Sequence, residues 1–143
     1  MFYNNLCMKR EEPGPGQESV WDYPRPPRLE KSDKQVKVVF NGETIAETHN
    51  AKRVLETSHP PVYYIPPEDV KMKFLEQEPG SSYCEWKGQA HYYRLTVGDR
   101  TGTKAAWSYA SPNSKFKAIK DHIAFYPHKM DACYIDDEQV KSQ

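Results

Sequence analysis

Between Tyr83 and Tyr93 the chain reads YCEWKGQAHYY, which sets a thiol, an indole, an ammonium group and an imidazole within eight consecutive positions. Side chains alternate faces along an extended strand. Cys84 and Trp86 are therefore expected on one face, with Tyr83, Glu85 and Lys87 on the other. A glycine inside a strand pattern marks a bulge or a close backbone approach, and a bulge re-aims its neighbour. Gly88 would in this way swing Lys87 toward a hollow lined by Cys84 and Trp86. In AAWSYA the same alternation puts Trp107 and Tyr109 on one side of their strand. The binding reading is a concave wall of Tyr64, Trp86, Trp107 and Tyr109, with Lys87 and Glu56 as polar anchors. The plain alternative is an aromatic core with the charges in solvent.

Catalytic roles can be weighed on the same residues. Cys84 as a nucleophile needs a thiolate, stabilised by a cation or a histidine. On a continuous strand Lys87 and His91 lie roughly 10 and 23 Å along from it, so a buried, inert Cys84 is expected. His59, before Pro60-Pro61 and near Glu56 and Tyr64 in sequence, would serve as an acid or base near neutral pH. Its alternative is a loop histidine bonded to backbone. Gly98 to Lys104 (GDRTGTK) has the wrong spacing for a phosphate loop and precedes a strand, so it reads as a hairpin loop. Asp136-Asp137 adjoin at a turn and do not form the carboxylate pair that holds two Mg²⁺.

The elements that must position these groups are mostly strands. VKVVF and ETIAE flank Asn41-Gly42, a strong hairpin signal because a type I′ turn needs positive φ at both central residues. Arg53 to Thr57 is expected as a third strand. The Pro-Pro pairs around Val62 to Ile65 limit that segment to a sheet edge or a crossing loop. Pro67, Glu68 and Asp69 suit a helix start, with Val70, Phe74 and Leu75 facing the body and Pro79-Gly80 ending it. Strands are then expected through Ala90 to Val97, in AAWSYA, in HIAFYP and in KMDACYI, with a short helix in SPNSKFKAIKD. Residues 1–34 form a proline-rich arm, pinned by Trp21 and Tyr23 or offering Pro24 to Pro27 as a polyproline II ligand. Residues 35–143 form a single β domain.

The totals narrow the function classes. In 143 residues, 20 basic and 20 acidic side chains give zero formal charge. This removes the electrostatic footprint of a nucleic-acid or membrane-surface binder. No apolar run approaches the roughly 20 residues of a membrane span, and the start shows no secretory signal. Cys7, Cys84 and Cys133 are odd in number and widely spaced. Free thiols and a cytoplasmic setting are expected.

The motifs VFNGETIAET, VLETSHPPVYYIPPEDV, CEWKGQAHYY, AWSYASP and HIAFYP occur in an order that resembles the family called domain of unknown function 427, also labelled nucleotidyltransferase-like. The resemblance covers about residues 36 to 135, and the WDYPRPPR and MDACYI segments look like its longer bacterial branch. It implies a mainly-β fold of two antiparallel sheets, similar to Mss4-like or β-tent proteins, with one or two short helices. The family's recurrent positions carry over as Glu56, Tyr64, Pro66, Cys84, Trp86, Lys87, Gly88, Trp107, Tyr109 and Pro112. Several Mss4-like relatives hold zinc in paired CxxC motifs; neither pair exists here, so no metal is expected.

The functional expectation is a small-molecule-binding β domain that stacks a planar or anionic ligand on Tyr64, Trp86, Trp107 and Tyr109, with Lys87 and Glu56 as anchors. One alternative is an enzyme using the same cleft for nucleotidyl or other group transfer, or for hydrolysis, with Lys87, Glu56, His59 and Cys84 as catalytic candidates. The other is an interaction module working through the arm. The sequence names no cofactor, no ligand and no oligomeric state.

Overall fold

The computed structural model describes residues 27–57 and 59–140. Cys7, Trp21, Tyr23 and all of the proline-rich arm before Pro27 lie outside the described residues.

Eleven strands are described: β1 (Arg28–Lys31), β2 (Val36–Phe40), β3 (Glu43–Thr48), β4 (Lys52–Leu55), β5 (Val62–Tyr64), β6 (Leu75–Cys84), β7 (Gly88–Val97), β8 (Arg100–Ser108), β9 (Ala124–Phe125), β10 (Ala132–Ile135) and β11 (Glu138–Gln139). The mainly-β expectation holds. Hydrogen bonding divides the strands among three antiparallel sheets, ordered β1-β4-β5, β11-β10-β2-β3 and β6-β7-β8-β9, where two sheets were expected. The last residues of the expected arm supply β1, which pairs with β4 from Arg28↔Leu55 to Lys31↔Lys52.

Local chemistry explains the pieces. Asn41 and Gly42 take φ values of 49° and 77°, the type I′ turn that closes β2 on β3. The proline-flanked Val62–Tyr64 segment is an edge strand, as its missing donors require. The helix expected after Pro67 is instead two short 3-10 turns, Pro67–Asp69 and Met72–Phe74. Leu75 already belongs to β6, opposite Leu95. Pro79-Gly80 does not stop an element: β6 runs through it, absorbing the missing donor in a register shift between Gln77 and Ser81. Gly98-Asp99 alone turns β7 into β8, so the hairpin loop expected over Gly98 to Lys104 is a tight turn with Val97↔Arg100 in register.

Two apolar clusters fill the interior. One joins Val36, Val38, Phe40 and Ile45 of the β2–β3 ribbon to Leu95 and Val97 of β7. Each fully buried aliphatic side chain contributes about 1.5–3 kcal/mol. The other gathers Val54, Tyr64, Ala90, Trp107, Tyr109, Phe116 and Ile119. Asp131 fastens one end of the body. Its carboxylate accepts the Asn41 backbone N–H at 2.6 Å and an Arg100 guanidinium N–H at 2.6 Å, while the Asn41 side-chain amide donates to the Val97 carbonyl at 2.9 Å. The β2–β3 and β7–β8 turns are thereby tied to each other.

Candidate functional site

YCEWKGQAHYY is a hairpin and not a kinked single strand. Cys84 ends β6, Glu85 to Lys87 form the turn, and Gly88 opens β7 directly opposite Cys84. Gly88 sits at φ +112°, a conformation L side chains rarely adopt. A Cβ there would also stand 3.3 Å from the Ser111 carbonyl oxygen. The reason is a brace: Asn113 donates its backbone N–H to the Lys87 carbonyl at 3.0 Å, and its amide reaches the Glu85 and Trp86 carbonyls at 3.3 and 3.0 Å. A turn so held fixes where Trp86 and Lys87 point.

Lys87 is only 5 % exposed, a rare state for a lysine. Its ammonium donates to Glu56 Oε1 at 3.1 Å. Glu56 comes from the end of β4, just past Leu55, so the pair joins the β4 exit to the β6–β7 turn. An unpaired ammonium at that depth would be costly, and the carboxylate offsets the desolvation.

Beneath the pair lies the aromatic cluster. Tyr64 meets Trp107 edge-on, with centroids 6.2 Å apart and planes at 88°, and Tyr109 lies 6.2 Å from Tyr64. The Trp107 indole N–H donates to the Tyr64 hydroxyl at 3.3 Å. Burial, then the neighbouring Tyr109 hydroxyl, pushes the Tyr64 phenol well above its usual range. Burial, then Cys84, raises Tyr109 likewise. Both phenols are therefore hydrogen-bonding groups and not proton carriers at neutral pH.

One cavity of about 640 Å³ is lined by all eight residues singled out from sequence: Glu56, His59, Tyr64, Cys84, Trp86, Lys87, Trp107 and Tyr109. They do not stand in it alike. Tyr64, Trp107 and Tyr109 are almost wholly buried against one another and make a closed floor. Trp86, at 37 % exposed, stands at the open rim. The half-buried Tyr92 and Tyr126 also line the cavity. Tyr126 stacks on Trp107 at 4.4 Å. Sequence reasoning missed both, although Tyr126 sits in HIAFYP and strand alternation placed Tyr92 no differently from its neighbours.

The distance expected for His91 changes. Because the chain doubles back at Gly88, His91 lies three positions along β7 from the residue facing Cys84, roughly 10 Å away. It faces Ser81 and Ser108 instead. The His59 ring nitrogen Nδ1 lies 2.8 Å from the Thr57 carbonyl, and its backbone N–H donates to the Glu56 carbonyl. Cys133, on β10, has its thiol pushed up to about 11 by burial. Among the described residues, no group of three or more His, Cys, Asp or Glu side chains gathers in metal-binding geometry. No helix among them is long and apolar enough to cross a membrane.

A family model described as a domain of unknown function (DUF427) matches residues 28–136. No curated protein matches the chain significantly.

Proposed function

The chain belongs to the DUF427 family, whose description assigns no activity, and we propose on the strength of its cleft that it binds a small planar ligand there. The observation that carries this is a paired, nearly buried ammonium in the wall of a mostly apolar, aromatic-rich hollow of about 640 Å³. Ligand sites are concave and mostly apolar, with a few convergent polar groups that fix orientation. Trp86, Tyr92 and Tyr126 offer ring surface. Lys87 retains donors beyond the one given to Glu56, and Glu56 keeps an acceptor oxygen. A purely structural pair would be replaceable by apolar side chains at no loss.

The test is a thermal-shift screen of nucleotides, sugars and aromatic metabolites on the wild type and on Lys87→Met. A ligand that stabilises the wild type and not the variant, with the variant folded, supports the reading. A ligand that stabilises both equally moves the site elsewhere. A screen that yields no stabilising compound for the wild type overturns the ligand reading and leaves the pair as an internal strut.

A further inference from the structure

We propose, resting on the cleft reading above, that the ligand class is a planar ring carrying a phosphate ester, with the phosphate held in a second hollow that continues the cleft. This second hollow, about 370 Å³, shares Ser82, Tyr92, Tyr126 and His128 with the first. It adds Ser81, Lys104 and Lys129. A ring lying against Tyr126 in the main cleft can therefore extend a substituent past the same side chain into the second space.

The charge is divided between the two. In the main cleft Lys87 is matched by Glu56, and Glu85 adds a further carboxylate. The wall of the second hollow carries two lysines and no carboxylate. No ion pair to Lys104 or Lys129 forms among the described residues. The nearest acidic contact is made to backbone: Glu78 accepts the Lys104 N–H at 2.6 Å. The Lys129 ammonium spends one donor on the Thr103 carbonyl, at 2.5 Å, and keeps two. The Lys104 ammonium lies over the Tyr92 ring at 5.8 Å. In the same wall, the Ser82 and Tyr92 hydroxyls share a hydrogen bond of 2.7 Å, in which either donates, so one hydroxyl proton is free to turn outward. Ammonium and hydroxyl donors without a competing carboxylate suit a phosphate monoester, whose oxygens accept several charge-assisted bonds. An uncharged ligand would leave the two lysines unused.

Matched pairs test this by calorimetry: adenosine and its 5′-monophosphate, pyridoxine and its 5′-phosphate, 1-naphthol and 1-naphthyl phosphate, with inorganic phosphate alone as a further arm. A charge-assisted contact is worth enough that the phosphorylated member of at least one pair should bind roughly tenfold tighter or more. That gain should shrink as salt rises. It should vanish in Lys104→Gln/Lys129→Gln while the unphosphorylated partner binds as before. Should the double variant fold poorly, exposed Lys104→Gln alone and the wild type's salt dependence read the same effect. Equal affinity within every pair overturns the anion subsite and leaves the cleft standing. Binding of no pair overturns the cleft reading as well. Inorganic phosphate binding as tightly as the esters overturns the ester assignment.

Discussion

Replacing the two members of the Lys87–Glu56 pair should have unequal costs, and the inequality follows from their burial. The Lys87 side chain is 6 % exposed and the Glu56 side chain 29 %. Glu56→Met strands an ammonium with almost no access to water. Removing one partner of a buried pair in this way costs about 3–5 kcal/mol, and the flexible lysine stem puts this case near 3. Lys87→Met keeps the packing of the stem and strands a carboxylate that can rehydrate through its exposed edge, so about 1 kcal/mol is expected. The gap of about 2 kcal/mol corresponds to roughly 7 °C in Tm for a chain of this size. Substituting both by Met removes both charges together and should recover most of the loss, giving a favourable coupling energy in the double-mutant cycle. Urea unfolding followed by far-UV circular dichroism measures all four proteins, with unchanged m-values as the check on two-state behaviour. If Lys87→Met costs as much as Glu56→Met or more, the ammonium is solvated and the argument from its burial is refuted.

Two further predictions concern the frame of the site. Gly88→Ala forces a Cβ into positive φ and against the Ser111 carbonyl; a loss of about 2 kcal/mol or more is expected, against about 1 kcal/mol for Gly42→Ala, where nothing lies within 4 Å, both read by chemical denaturation. On the alkaline side, Cys133 has a folded pKa of about 11 against 9.0, and Tyr64 and Tyr109 are raised above 10.0. Each stays protonated in the folded state where the unfolded chain has begun to ionise, so stability is intact below about pH 9 and falls as pH rises toward 11 and beyond. A Tm that holds steady or rises across that interval would contradict the burial of these groups.

The sequence was most informative where one residue type has one physical use. Asn41-Gly42 named its turn, because few residues accept positive φ twice in succession. The prolines around Val62–Tyr64 placed it at a sheet edge. Gly88 was legible as a break, yet its consequence was misread. Glu85, Trp86 and Lys87 carry no turn chemistry of their own, and their turn is held by Asn113, which is distant in sequence. Helical spacing of Val70 and Phe74 was likewise overridden by pairing: Val70 bridges Ala46, and Leu75 faces Leu95. The eight site candidates reached one cavity even so, but Trp86 and Lys87 did so through the Asn113-braced turn and not through alternation. What alternation could not convey was which rings would be sealed beneath and which left open, because that depends on Tyr126 packing on Trp107 from the turn just past β9.

The Asp131 fastening sits at the far end of β7 from the ligand hollow. β7 runs ten residues, from Gly88 beside the hollow to Val97 beside the clasp, a span of roughly 30 Å. The strands between are packed on β2 and β3 through Val36, Val38, Phe40, Ile45 and Leu95, so the clasp closes one end of a layer that is already filled. A carboxylate remote from the cleft thus holds the register of the two hairpins on which the β7 end of the site is built.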